Sequence, residues 1–249
     1  MPLCDTEAIV LRSYKLGERD KIVNFFTRDF GRLRGVASGS RKTKNQFGGS
    51  LEPLTYLRIW FYQRENRDLV RLNSLDVIES FMLVQEEYPS YLAAQYIAEV
   101  CDYFMPEKQA DERVFRLILH VLRGLNHRDC LDAVLCYFSA WILRLGGVLV
   151  DLDHCGCCGN RLDTRVSYYG NFWEGLSCGD CRKGQGRQLG FAIRELCKGT
   201  QRETLDQWCR LGLKAEQSKS LRFFLDEQIE KHIERKLITK QLLNEVKCP

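Results

Sequence analysis

Two matched cysteine pairs, Cys155-x-x-Cys158 and Cys178-x-x-Cys181, constrain this chain more than any other feature. Nineteen residues separate the pairs. That spacing lets two tight turns face one another and offer four thiolates to a single ion. Zn²⁺ suits such a set, because it accepts soft sulfur ligands and has no d-electron preference against a tetrahedron. Gly159 and Gly179 follow Cys158 and Cys178, and are expected to help each turn aim its N–H groups at sulfur. All four positions would be filled by protein, which leaves none for water or substrate. The expected site is structural: it orders a loop-rich segment and performs no chemistry.

Other uses of the pairs fit less well. Disulfides are disfavoured by twelve cysteines in 249 residues that open on MPLCDTEAIV, a start with acids and no basic signal-peptide region. A redox CxxC would follow a hydrophobic strand and open a helix. A zinc deaminase would carry an HxE segment and a Pro-Cys-x-x-Cys, and no proline precedes either pair. Cys157, lodged inside the first pair, is able to replace Cys155 or stay free, while the adjacent His154 reads as solvent-exposed. The remaining cysteines form no second cluster and read as small buried residues or inert surface thiols.

The composition, 45% hydrophobic and 28% charged, is that of a soluble globular protein. The longest apolar run, from Ala133 to Leu143, is too short to span a bilayer. A cytoplasmic protein is expected, with no membrane partner. Net charge is +4, and residues 1–80 hold 14 Lys and Arg against 10 Asp and Glu, so the whole excess lies in the first third. No acid occurs between Phe30 and Leu51, where Arg32, Arg34, Arg41, Lys42 and Lys44 fall. A field of that sign favours a polyanion, although a solvated basic loop explains the same residues.

Residues 1–80 read as β structure, with short runs at 6–14, 21–27, 32–37, 54–62 and 69–72 divided by turn chemistry. Five such strands predict a small antiparallel barrel of the OB-fold type rather than a sandwich. From Phe81 the period becomes helical over 90–105, 110–126 and 129–146, and again over 191–198, 202–211, 216–233 and 238–246. The expected class is multidomain α+β. Its expected domains are a barrel at 1–80, a helical domain from 81–150 and 184–249, and a Cys₄ zinc module inserted at 151–183.

Within 54–62, alternation places Leu57, Ile59 and Phe61 inside the barrel. It turns Tyr56, Arg58, Trp60 and Tyr62 outward, where rings stack on bases regardless of sequence or cover a docking helix. Arg71 lies on the next strand. The loop from Ser38 to Lys44 mixes small residues with Arg41, Lys42 and Lys44, a combination suited to phosphates but lacking the P-loop pattern. There is no HExxH and no nucleotide-binding glycine fingerprint, and no catalytic residue is assigned. Glu18 and Asp20 read as part of an ion-paired turn.

Several segments together resemble the bacterial recombination mediator family RecO. They are Gly17-Glu18-Arg19-Asp20-Lys21-Ile22-Val23, Thr27, Gly31-Arg32-Leu33-Arg34-Gly35-Val36-Ala37, Gly39-Ser40-Arg41-Lys42 and Gly48-Gly49-Ser50-Leu51-Glu52-Pro53-Leu54. The cysteine pairs after GGVLVDLDHC and the stretch Leu221–Leu243 extend the resemblance along nearly the whole chain. Cys157 and residues 199–215 depart from it. The resemblance implies DNA repair by recombination at the nucleoid: binding of single- and double-stranded DNA, annealing of complementary strands, and work with RecR. It also implies contact with the acidic tail of single-strand-binding protein, for which Arg113, Arg116 or Arg123 are candidates, and help in loading RecA. On the residues alone, an RNA-binding factor with an OB barrel and a zinc ribbon stays open, and behind it a zinc hydrolase or nuclease.

Overall fold

The computed structural model describes residues 2–42, 47, 49–63, 68–81, 84, 86–125, 130–170 and 174–245. The chain divides into two compact units, Met1–Asn126 with Leu237–Pro249, and His127–Lys236.

The first unit is built on β1 (Leu3–Leu16), β2 (Asp20–Thr27), β3 (Gly31–Ala37), β4 (Tyr56–Tyr62) and β5 (Leu69–Glu79). They close into a barrel in the order β1-β2-β3-β5-β4, all antiparallel except the short β3–β5 pairing. This is the OB-like barrel expected from the strand pattern. Closure depends on β1, which pairs with β4 through Leu3–Ile9 and with β2 through Ala8–Leu16. An irregularity between Val10 and Arg12 bends it from one partner to the other. Inward positions alternate as the pleat requires: Ala8 and Val10, Val23 and Phe25, Leu33 and Ala37, Leu57, Ile59 and Phe61, Val70 and Leu72 form one buried cluster. Gly35 belongs to the same inner row, where a Cβ would stand 3.2–3.3 Å from Leu72, Phe25 and Val70.

β5 runs seven residues beyond the expected 69–72. Its outer half, with Asp76, Val77 and Ile78 exposed, has no inward alternation and is held by pairing with β4. β4 starts at Tyr56 rather than 54 because Leu54 takes a left-handed backbone, φ 68°. The β2–β3 turn is tied by the Thr27 hydroxyl, which donates to the Gly31 carbonyl at 2.7 Å and accepts from the Phe30 N–H at 3.1 Å. Gly31 has φ 66°, and the Gln109 backbone lies where a side chain would go. Thr27 and Gly31 are therefore fixed by geometry.

Helices α1 (Tyr88–Phe104) and α2 (Glu112–Gly124) cover one flank of the barrel. The buried Asp102 of α1 accepts from Asn24 at 3.0 Å and faces Arg12 and Arg32, while Glu99 faces Arg12. On α2, Phe115 packs between Phe26 and Tyr56, with the Arg28 guanidinium 5.1 Å from its ring. Asp111 caps α2 by accepting from the Arg113 and Val114 N–H groups. Helix α7 (Ile238–Glu245) is held by Glu99, whose carboxylate accepts from the Ile238 and Thr239 N–H groups and from the Thr239 hydroxyl. A side chain far away in sequence thus satisfies the orphan donors of its first turn.

In the second unit, α3 (Leu131–Leu145) packs along α6 (Ala215–His232), beside α4 (Phe191–Gly199) and α5 (Leu205–Arg210). Trp208 is fully buried and its ring N–H donates to the Ala133 carbonyl at 2.9 Å. Between α3 and α4 the chain forms the cysteine segment and a two-stranded sheet, β6 (Ser167–Tyr169) with β7 (Arg187–Leu189). Tyr169 from β6 meets Phe224 of α6 edge-on at 5.0 Å, which fastens the segment to the helices.

Candidate metal centre and nucleic-acid interface

The ligand atoms of Cys155, Cys158, Cys178 and Cys181 all lie within 4.8 Å of one another. The Cys158 and Cys178 sulfurs are 3.9 Å apart. A tetrahedron with metal–sulfur bonds of about 2.3 Å has an edge of about 3.8 Å, so the four thiols are spaced for one ion. Turn geometry explains the convergence. Gly159 donates to the Cys155 carbonyl at 2.8 Å, Cys155 donates to Asn160 at 2.9 Å, and Gly159 has φ 73°. Gly156 and Gly175 meet backbone to backbone where the two halves cross, and the Gly156 N–H donates to the Leu176 carbonyl at 2.7 Å. Gly179 does not have the left-handed backbone of Gly159, so the second turn does not depend on it as expected.

Electrostatics point the same way. Burial pushes the Cys155 thiol up, but the Cys158, Cys178 and Cys157 N–H groups outweigh it and bring the thiol down to about 6. Cys181 is raised by hydrogen bonds to the neighbouring sulfurs of Cys178 and Cys158. Four sulfurs this close cannot all ionise without a cation among them. Cys157 is exposed and outside the cluster, so Cys155 rather than Cys157 belongs to the set that could hold an ion. His154 is exposed and bound to Asp151 at 2.9 Å.

One residue of this centre escaped the sequence reading. Arg194, on α4, is 1% exposed and donates to the carbonyls of Leu152, Asp163 and Arg165 at 2.7–2.8 Å. It closes the loop that carries the first cysteine pair. Arg194→Met keeps the bulk and removes the donors, leaving buried carbonyls unpaired. It should cost about 3 kcal/mol in the unfolding of the second unit, read by denaturant titration. Arg194→Lys, with a single donating head, should recover only part.

The nominated cations separate into groups. Arg32 lies between Asp102 (3.5 Å) and Glu107 (3.4 Å), and Arg34 reaches Glu107 at 3.7 Å. Arg58 is paired with Asp5 at 3.0 Å. Their charge is largely balanced by acids the strand sequence does not show. Arg113 and Arg123 are likewise engaged by Asp111 and Glu79, while Arg116 is exposed. Lys44 lies outside the described residues.

Arg41 and Lys42 are exposed and held in place. The Arg41 guanidinium donates to the Gly17 carbonyl at 2.6 Å, its N–H donates to the Arg19 carbonyl at 3.0 Å, and Gly39 donates to Asp20 at 2.7 Å. These bonds dock the loop after β3 onto the β1–β2 turn. They gather Lys15, Arg19, Arg41 and Lys42 at one end of the barrel, against Glu18 and Asp20. Lys15 and Arg19 were missed, since only the loop's docking brings them to Arg41. Asp20 is a loop anchor rather than a partner in a paired turn.

A second outward surface crosses β3, β5 and β4. Arg71 stands opposite Val36 on one side and Tyr62 on the other, exposed and without an acidic partner among the described residues. Trp60, half-buried, is two residues from Tyr62 on the same face. Tyr56 does not share this exposure as expected. It is 6% exposed under Phe115, with its hydroxyl on Glu7 at 2.5 Å, so helix α2 takes that end of β4 and leaves the other open. Among the described residues, no helix is long and apolar enough to cross a membrane.

Comparison with known proteins agrees with this architecture. Residues 1–81 match the family described as Recombination protein O N terminal, and residues 85–241 match Recombination protein O C terminal. A relative from Koribacter versatilis, named DNA repair protein RecO, is 37% identical over 98% of this chain and 99% of its own length. A protein of the same name from Thermodesulfovibrio yellowstonii is 33% identical over 71% of this chain and 69% of its own. Another, from Syntrophobacter fumaroxidans, is 29% identical over 96% of both. The expected family resemblance is therefore correct, and the chain belongs to the RecO family of DNA repair proteins.

Proposed function

We propose that this chain is a non-catalytic mediator of recombinational repair that binds single- and double-stranded DNA and anneals complementary strands. The observation that carries the proposal is the docking of the 38–42 loop on the β1–β2 turn, which concentrates Lys15, Arg19, Arg41 and Lys42. In this reading those cations and Arg71 hold phosphates, while Trp60 and Tyr62 offer stacking faces. Arg32, Arg34 and Arg58 contribute less, because each already faces a carboxylate. Annealing follows if one basic surface neutralises two strands at once, which lowers their repulsion without nucleotide hydrolysis.

Family membership supports the further reading that the protein works with RecR and with the acidic tail of single-strand-binding protein to help load RecA. The four thiols would hold one structural Zn²⁺ through Cys155, Cys158, Cys178 and Cys181. When bound, the ion supplies cross-linking of the loops and no open coordination position. The protein would act in the cytoplasm, at the nucleoid.

The test is binding of the full chain to a single-stranded DNA oligonucleotide across 50–200 mM salt, beside RNA of the same sequence. About three to four phosphate contacts predict a slope of log affinity on log salt near −2 to −3. Salt-insensitive binding would reject the cationic barrel end, and a clear preference for RNA would move the protein to RNA metabolism.

A further inference from the structure

The second unit carries a basic segment of its own, Arg182-Lys183-Gly184-Gln185-Gly186-Arg187. No acid occurs between Asp180 and Glu195. Lys183, Gly184 and Gly186 have φ of 50°, 79° and 86°, so the chain makes a compact turn between Cys181 and β7. Residues 183–188 are all exposed, and nothing lies within 4 Å of the side-chain position at Gly184. The backbone there is open to close approach.

The three cations are not equivalent. Arg187 is engaged by Glu227 at 2.5 Å and lies 4.3 Å from the Phe223 ring centre. Among the described residues, no carboxylate lies within ion-pair distance of Arg182 or Lys183. Instead the Arg182 guanidinium lies over the Tyr168 ring, 4.2 Å from its centre. Tyr168 is itself fixed by pairing with Gln188 on one side and Ser177 on the other. Cation–π contact occupies the guanidinium face and leaves its N–H edge for an anion. An ordered, half-exposed guanidinium, a neighbouring ammonium and an open glycine backbone are what a phosphodiester requires.

We infer that Arg182 and Lys183, presented by the turn after Cys181, form a second phosphate-binding site for a nucleic-acid strand, separate from the barrel surface. The inference rests on the strand-binding reading of the barrel and gives it a two-strand form. One strand engages the first unit, and its complement is held by the second. A competing role is purely local: the two cations offset the negative charge of four thiolates around a divalent ion, and no strand touches them.

The experiment compares the full chain with R182Q/K183Q in two assays: affinity for one oligonucleotide, and the rate of annealing of complementary oligonucleotides. Thiol reactivity of the cysteine cluster reports whether the module stays intact. The site predicts first-strand affinity within about twofold of the parent and annealing slowed at least about fivefold. Annealing unchanged in the double variant overturns the site, whether or not thiol reactivity rises. Should R182Q/K183Q prove misfolded, K183E alone carries the test, since its side chain is exposed. R187Q, removing a cation already engaged by Glu227, should anneal as the parent does. If the parent itself binds no DNA, the barrel reading fails and this inference falls with it. Parent binding with unaltered variants removes only the second site.

Discussion

Removing the metal, or replacing Cys178 by alanine, is expected to unfold the 151–189 segment and leave the barrel standing. Cys155 and Cys178 are buried, and the Cys178 N–H donates to the Cys155 sulfur at 3.3 Å. The loops around them are joined by single turns, and among the described residues of 151–189 the buried apolar side chains besides the cysteines are Leu152, Leu162, Tyr169, Leu176 and Leu189. In such segments ion binding and folding are one equilibrium, with apparent binding energies of about 10–16 kcal/mol in small zinc peptides. Part of that is absorbed by ordering the loops. A loss of about 3 kcal/mol still corresponds to a fall of roughly 10–20 °C in Tm for a unit of this size. Elemental analysis should find one zinc per chain. Thiol titration after chelation should expose the ligand cysteines, while Cys136 and Cys197 stay buried in the helices. The pH dependence follows from the ligands themselves: the thiols must be deprotonated to hold the ion, so metal affinity and the stability it confers should fall as pH falls. An unchanged Tm after quantitative metal removal would contradict this account.

The second large effect concerns the barrel end. R19E/R41E reverses two exposed charges and should lower affinity for single-stranded DNA at least about tenfold near 100 mM salt. It should also reduce the salt slope by about 1.4, or about 0.7 for each phosphate no longer neutralised. Arg41 also anchors the loop through Gly17, so R41K separates charge from anchoring: it keeps the cation and loses the guanidinium fork. R58E is the contrast. Its partner Asp5 already balances the guanidinium, and reversal should weaken binding less than R19E alone. Equal losses at Arg58 and Arg19 would show that ion pairing within the barrel does not decide which cations meet phosphate.

The parts of this molecule legible in its sequence are those set by local repeats. Leu57, Ile59 and Phe61 alternate on an inward row, and the cysteine pairs announce their own convergence. What could not be read locally depends on partners distant in the chain. Arg32, Arg34 and Arg58 look like free cations in a strand. The acids that meet them come from the end of α1, the segment after it, and the paired strand β1. Arg194 looks like an ordinary helical cation, yet it is buried against the carbonyls of the cysteine loop. Tyr56 obeys the alternation that turns it outward, and a helix with no sequence link to it supplies the cover. The long outer half of β5 has no pattern to read, because its conformation comes from β4.

The central claim is that this chain handles strands through fixed positive charge and breaks no bonds. Its most direct test is annealing of complementary labelled oligonucleotides by the full chain, without nucleotide, followed by denaturing gel analysis of both strands. The account predicts faster duplex formation that declines with salt, with every strand recovered at full length. No acceleration at low salt, or shortened strands, would contradict it.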